Sequence, residues 1–224
     1  MSAKFDGVAF DLDGTLYPNY RFYIPLIPFV LREHQLLRAF GKARDIFRAG
    51  SEDKAVGNFY DTQARIMGEI LNIDKDIMKE KNEKLIYRGW EPLFKTIKLY
   101  PEVQETLTIF REEGLKLGLL SDFPPENKLK NLSLDGFWDA ILCSECTGAL
   151  KPDTIPFIEL INQLKIPAER ILYVGNSVSY DIIGAKKAGM KAALISSPFG
   201  KRRNNGNADF IFSKYRQLRN YVLG

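Results

Sequence analysis

The sequence predicts an α/β fold, a Rossmann-like parallel sheet core interrupted after its first strand by an all-α insertion. Three observations predict it. Across residues 1–16 and 96–224, short apolar runs of strand length alternate with amphipathic segments of helix length, the pattern of parallel βαβ units. Residues 18–95, about 78 in all, contain no run that must be a strand, and their apolar positions recur at i, i+3 and i+4. One strand precedes this helical stretch and the others follow it. An insertion into one sheet explains that order better than two tandem domains. The expected division is therefore a core of 1–16 and 96–224 with a helical cap of 17–95.

The elements follow in order. Residues 5–10 are apolar, end at Asp11 and are broken by Gly14, as a short buried strand would be. In the insertion, 26–40, 42–49, 54–71 and 74–88 read as helices, with Gly50 and Asn72 as stops. Strands are expected at 115–120, 140–143, 171–174, 192–195 and 210–212, and helices at 102–113, 127–132, 154–164, 179–188 and 214–223. Residues 201–207 (KRRNNGN) read as a solvated loop.

Composition narrows the chemistry. The chain has 224 residues, 32 Lys+Arg and 28 Asp+Glu, a net charge of +4 with both signs dispersed. That balance does not make nucleic acid an expected partner. The insertion holds 14 basic and 11 acidic residues and so carries +3 of the total. A single histidine, His34, and two cysteines, Cys143 and Cys146, cannot assemble a Cys₂His₂ or His₃ zinc site. His34 reads as a helix-surface residue and the two cysteines as buried, inert thiols. The longest apolar run, residues 22–31, has ten residues and two prolines. A membrane-spanning helix needs about 20. The run is expected to form the inner face of the insertion, and a cytoplasmic location is expected.

In a parallel α/β sheet, ligands bind beyond the carboxyl ends of the strands. The first strand ends in Asp11-Leu12-Asp13-Gly14-Thr15, and the second in Ser121-Asp122. Lys151-Pro152 lies one helix before the 171–174 strand, which ends in Gly175-Asn176-Ser177 with Asp181 beyond. The topology thus gathers carboxylates, a hydroxyl, an amide and a lysine on one rim. Asp11 and Asp13, two residues apart on an extended exit, can face one side, and a divalent cation relieves their repulsion. Mg²⁺ suits a few oxygens completed by water and phosphate. A carboxylate can itself be a phosphoryl acceptor. Ser121 and Lys151 supply the donor and positive charge that a transferring phosphoryl group needs.

These residues resemble the haloacid dehalogenase superfamily of phosphohydrolases, its subfamily I with a helical C1 cap. Asp11-Leu12-Asp13-Gly14-Thr15 resembles the first family motif and Ser121 the second. Lys151 in Leu150-Lys151-Pro152-Asp153 resembles the third, and Gly175-Asn176-Ser177 with Asp181 the fourth. The resemblance implies Asp11 as nucleophile and Asp13 as general acid and base. Asp11, the Asp13 carbonyl, Asn176 and Asp181 would hold Mg²⁺. It implies that Leu12, Gly14, Thr15 and Asp122 flank the bound phosphoryl group. Tyr20 and Arg21, with Tyr17 near the first joint, are expected to face the leaving group from the cap.

Asp at position 13 favours phosphoryl transfer over carbon–halogen cleavage, since the dehalogenating branch typically lacks it. Asn176 stands where the family commonly has Asp, so the cation would lose one anionic ligand. The expected activity is a Mg²⁺-dependent phosphatase acting on a small phosphorylated metabolite. A phosphomutase of the same superfamily and a non-catalytic phosphate-binding or interaction protein remain as alternatives. The surface of the insertion stays open as an oligomer contact.

Overall fold

The computed structural model describes residues 4–50, 59–196, 205 and 207–224. Residues 201–203 of the basic loop, and the start of the helix expected from 54, lie outside them.

Among the described residues, six parallel strands form one sheet: β1 (Gly7–Phe10), β2 (Lys116–Ser121), β3 (Ala140–Cys143), β4 (Ile171–Gly175), β5 (Lys191–Ile195) and β6 (Phe210–Phe212). Their order is β3-β2-β1-β4-β5-β6. β1 is central, pairing with β2 on one side and β4 on the other, Phe10 opposite Leu119 and Val174. The strand order reverses at β1, so the chain leaving it opens into the crevice where α/β sheets place their ligands.

The strands read as near-continuous apolar runs because both faces are covered. Alternate residues divide between two cores. Val8, Phe10, Leu117, Leu119, Leu172 and Val174 pack with α5 (Val103–Glu112) and α9 (Tyr215–Leu223). Ala9, Leu120, Tyr173, Ala192 and Leu194 pack with α7 (Thr154–Leu164) and α8 (Ile183–Lys187). Another core helix, α6 (Glu126–Asn131), follows β2.

Between β1 and α5 run α1 (Asn19–Arg32), α2 (His34–Ala49), α3 (Phe59–Leu71) and α4 (Lys75–Asn82). A wide π-type turn (Glu83–Tyr87) and a tight turn (Glu91–Lys95) follow. These helices bury a third apolar cluster, which includes Leu36, Phe40, Phe47, Met67 and Met78 and reaches Leu150 of the core. Among the described residues, no helix is long and apolar enough to cross a membrane.

Several helix boundaries differ from expectation. The helix expected over 26–40 is two: α1 starts at Asn19, immediately after Pro18, and ends at Glu33, whose N–H closes on the Phe29 carbonyl at 2.8 Å. α2 then runs unbroken past Gly41 to the left-handed Gly50, merging two expected helices. The helix expected over 74–88 is α4, capped by Asp74 Oδ1 on the N–H groups of Asp76 and Ile77, and then the π-type turn. The 179–188 helix likewise begins in a π-type turn, Val178–Ile182.

The 22–31 run is only partly an inner face. Leu26 is its one buried residue, while Phe22 stacks on Phe94 and Phe29 meets Trp90 edge-on. Ile24, Ile27 and Leu31 face outward, Leu31 at 73% exposure. In a helix the run's consecutive apolar residues spread around the axis, so one element cannot bury them all. His34 is on the surface, as expected. Cys143 is buried but Cys146 is exposed, because the tight turn Glu145–Thr147 carries it outward.

Candidate active site

The chain leaving β1 turns at once. Leu12 is buried in the apolar core, and its carbonyl accepts the N–H groups of Thr15 and Leu16 at 3.3 and 3.0 Å. Only its backbone therefore faces the site. Gly14 takes φ of +87°, and a β-carbon there would collide with the side-chain amides of Asn176 and Asn19. The turn brings Thr15 back onto the first carboxylate, Thr15 Oγ1 donating to Asp11 Oδ2 at 2.7 Å. Tyr215 Oη in turn holds the Thr15 carbonyl at 2.7 Å.

Asp11 Oδ1 accepts a hydrogen bond from Lys151 Nζ at 2.7 Å, and the same ammonium donates to Asp181 Oδ1 at 2.7 Å. All three side chains are nearly sealed from solvent. Burial pushes Asp11 up to about 7, Asp181 and Asp13 adding to the rise and Lys151 opposing it. Burial also works against the charge on Lys151, but Asp11 and Asp181 outweigh it and hold the amine well above its ordinary value. Lys151 is thus a fixed cation. Asp181 places its other oxygen on the N–H groups of Asn176 and Ser177, at 3.1 and 2.9 Å. A β-carbon on Gly175 would strike the Asp181 carboxyl, so this close approach requires glycine.

Asp13 is partly open, its side chain 31% exposed. Tyr17 Oη donates to Asp13 Oδ1, and Lys128 Nζ reaches Oδ2 and Oδ1 at 2.8 and 3.0 Å. Ser121 is fully buried at the end of β2, its Oγ accepting the Phe123 N–H at 3.2 Å. Asp122 Oδ2 is shared by Arg44 Nη2 and Arg48 Nη2, both at 3.0 Å. Burial opposes charge on Asp122, and Lys151, Arg44 and Arg48 overcome it, keeping the carboxyl below its usual range.

A cavity of about 560 Å³ gathers Asp11, Asp13, Asp122, Lys151, Asn176 and Asp181 with Asn19, Arg44 and Arg48. Tyr20 and Arg21 stand apart from it. They line a neighbouring cavity with Gly14, Tyr100 and Asn176, and Arg21 is tied to the Lys98 carbonyl at 2.9 Å. Tyr17 is buried and meets the site through Asp13.

Several residues of the neighbourhood escaped the sequence reading, Asn19, Tyr23, Arg44, Arg48, Phe123 and Lys128 among them. Arg44 carried a legible signal. It falls among Leu36, Phe40, Ala43 and Phe47 on the buried stripe of α2, and a charge in such a stripe requires a partner. Lys128 carried none, since α6 is short and mostly polar.

Among the described residues, no three His, Cys, Asp or Glu side chains group as a metal cluster. The side chains gathered there nonetheless offer hard oxygens: Asp11, Asp13, Asn176 and Asn19 line one cavity, the two amides lying against Gly14. Gly14 clears the space that brings these amides against the turn. Such a set fits Mg²⁺, which keeps several waters and takes few carboxylates.

A family model described as haloacid dehalogenase-like hydrolase matches residues 5–189. A phosphoglycolate phosphatase of Haemophilus influenzae is 25% identical, with 97% of this chain and 98% of that protein aligned. A glyceraldehyde 3-phosphate phosphatase of Methanopyrus kandleri is 32% identical, with 96% of each chain aligned. Among solved structures, a 2-haloacid dehalogenase of Pseudomonas syringae pv. Tomato superposes with a TM-score of 0.67 at 23% identity, covering 96% of this chain and 97% of the other. A HAD phosphatase of Thermococcus onnurineus superposes at 0.63, also with 23% identity, covering 97% of each. These two structural likenesses speak to the fold.

Proposed function

The chain belongs to the haloacid dehalogenase-like hydrolase family, and on that premise we propose that it hydrolyses a small phosphomonoester through an aspartyl-phosphate on Asp11. The observation that carries this reading is the placement of Asp11. Its carboxylate is fixed by Thr15 and Lys151 at the sheet's switch point, on the wall of a cavity it shares with Asp13.

The roles follow from position. An Asp11 carboxylate oxygen attacks phosphorus, forming an O–P bond as the bond to the leaving oxygen breaks. Asp13, the open carboxyl, gives its proton to that oxygen. It then takes a proton from a water that attacks phosphorus and releases Asp11. Lys151 offsets negative charge on Asp11 throughout, in a site too buried for solvent to do so. Asp181 acts through Lys151 and through the turn it holds, Asp122 lines the phosphoryl end, and the buried Ser121 supports the chain beside it through its hydrogen bond from Phe123. Mg²⁺, held by Asp11, the Asp13 carbonyl and Asn176 with Asp181 in support, would supply charge stabilisation for the phosphoryl oxygens. The helices of 17–95 would act as a cap that excludes water and meets the leaving group.

Small phosphorylated metabolites are the substrate class in keeping with the names of the relatives, phosphoglycolate and glyceraldehyde 3-phosphate among them. The test is phosphate release from a panel of such esters with Mg²⁺, comparing wild type with Asp11→Asn. Wild type should show a preferred ester by kcat/KM and the variant essentially no turnover. A wild type no faster than Asp11→Asn on every ester removes the reading.

A further inference from the structure

We infer that Lys128 is a positioning residue for Asp13, fixing its carboxyl and balancing the charge left when its proton passes to the leaving oxygen. The inference rests on the proposed phosphatase reading and extends it to a residue outside the recognised motifs.

Lys128 is a core residue, on the first turns of α6, and Asp13 follows β1; the two are 115 positions apart in sequence. Its Nζ reaches both Asp13 oxygens, at 2.8 and 3.0 Å. A two-oxygen grip resists rotation of the carboxyl about its own bond, and Tyr17 Oη adds a third donor on Oδ1. The lysine is itself held. Its Nζ lies 5.0 Å from the ring centre of Phe94 and 4.9 Å from that of Phe123, within cation–π range of both. Only 13% of its side chain is exposed. A cation this sheltered is expensive to desolvate without a compensating anion, and Asp13 is the one it meets.

The grip bears on one step. When Asp13 hands its proton to the leaving oxygen, the P–O bond breaks, the alcohol departs neutral and a carboxylate remains. Lys128, in contact with both oxygens, stabilises that carboxylate and keeps its oxygen aimed at the scissile bond. The benefit depends on the leaving group. A short-chain alkoxide is a poor leaving group and needs the proton in the transition state. p-Nitrophenolate departs without one. A residue that merely held the fold together would affect both esters alike.

The experiment compares wild type, Lys128→Met and Lys128→Arg on the preferred alkyl phosphate and on p-nitrophenyl phosphate. The readout is kcat/KM, which covers steps only as far as leaving-group departure. Lys128→Met should lose about 30- to 100-fold on the alkyl ester, part of the 10²–10⁴ that general acid catalysis contributes. On the aryl ester it should lose less than about threefold. Lys128→Arg should recover much of the alkyl-ester rate. Equal losses on both esters, or none on the alkyl ester, overturn the inference while leaving the phosphatase reading intact. A wild type that releases phosphate from neither ester defeats the phosphatase reading, and this inference with it.

Discussion

The buried junction of Arg44 with Glu145 allows a quantitative test of how the helical insertion is held to the core. Arg44, 5% exposed, donates to Glu145 Oε1 and, at 3.0 Å, to Asp122 Oδ2. Its guanidinium lies 4.5 Å from the ring centre of Phe123 and 5.5 Å from that of Phe40. Burial pushes Glu145 from 4.5 up to about 7, against the pull of Arg44. Replacing Arg44 by Met takes that pull away, and the sealed Glu145 then keeps its proton well above pH 7.

The sign follows from linkage. The unfolded chain releases this proton near 4.5, whereas the folded protein keeps it, so stability falls as pH rises through that interval. In wild type the fall ends near pH 7, where Glu145 ionises beside Arg44. In Arg44→Met it continues. The gap between the two proteins should therefore be flat below about pH 7 and widen by about 1.4 kcal/mol per pH unit above it. The flat part is the loss of one of the two arginine partners of Asp122 and of the ring contacts, about 1–2 kcal/mol. At about pH 8.5 the total is about 3–4 kcal/mol, within the usual range for stripping one partner from a buried pair. Urea denaturation followed by circular dichroism at about pH 6 and about pH 8.5 measures it. The double variant Arg44→Met/Glu145→Gln removes the titrating group and should lose the pH slope. A gap constant with pH, or a double variant as steep as the single one, refutes the reasoning.

Two further predictions concern groups nearer the surface and the proposed cation. Hydrogen bonding from Cys143, with Tyr60 Oη 3.8 Å from the sulfur, lowers the exposed Cys146 thiol to about 7. Alkylation by iodoacetamide, read by peptide mass, should mark Cys146 with a rate midpoint near pH 7 while buried Cys143 stays protected. Asn176→Asp restores an anionic donor beside Gly14. Mg²⁺-dependent thermal stabilisation should then reach half its maximum at about tenfold lower Mg²⁺, the effect of about 1.4 kcal/mol; an unchanged midpoint would place Asn176 outside the cation's reach.

Much of the sheet was legible because its inner strands, β1 and β4 above all, are buried on both faces and so spell near-unbroken apolar runs between turn residues. The expected 140–143 and 210–212 strands match β3 and β6 residue for residue. The helices of the insertion were harder. Pro25 stands just before the helix expected from 26, yet α1 starts at Asn19 and contains both Pro25 and Pro28. Its actual end at Glu33 is marked by neither glycine nor proline, and α2 begins at the very next residue, a boundary that local propensity does not encode. The π-type turns at Glu83–Tyr87 and Val178–Ile182 share the apolar spacing of α-helices and are told apart only by their hydrogen bonds.

The candidate site divides along the same physical line. Asp11, Asp13, Ser121, Lys151, Asn176 and Asp181 sit at strand ends or in the turns beyond them, where topology alone brings distant residues together. Arg44, Arg48 and Lys128 come from helix faces, whose rotation is fixed only by packing. Their partners explain why they matter. Asp122 follows Ser121 directly, and both arginines of α2 converge on its Oδ2, while Arg48 Nε also donates to the Lys151 carbonyl at 3.1 Å. To swing the insertion away from the core, these contacts must break and the Phe40–Phe123 stack, at 6.1 Å, must come apart. An opening motion therefore pulls on the backbone at Asp122 and Lys151, beside two of the residues proposed to hold the phosphoryl group. Substitutions at Arg48, although it touches neither Asp11 nor Asp13, should for that reason act on substrate entry and on phosphoryl placement together, and not on stability alone.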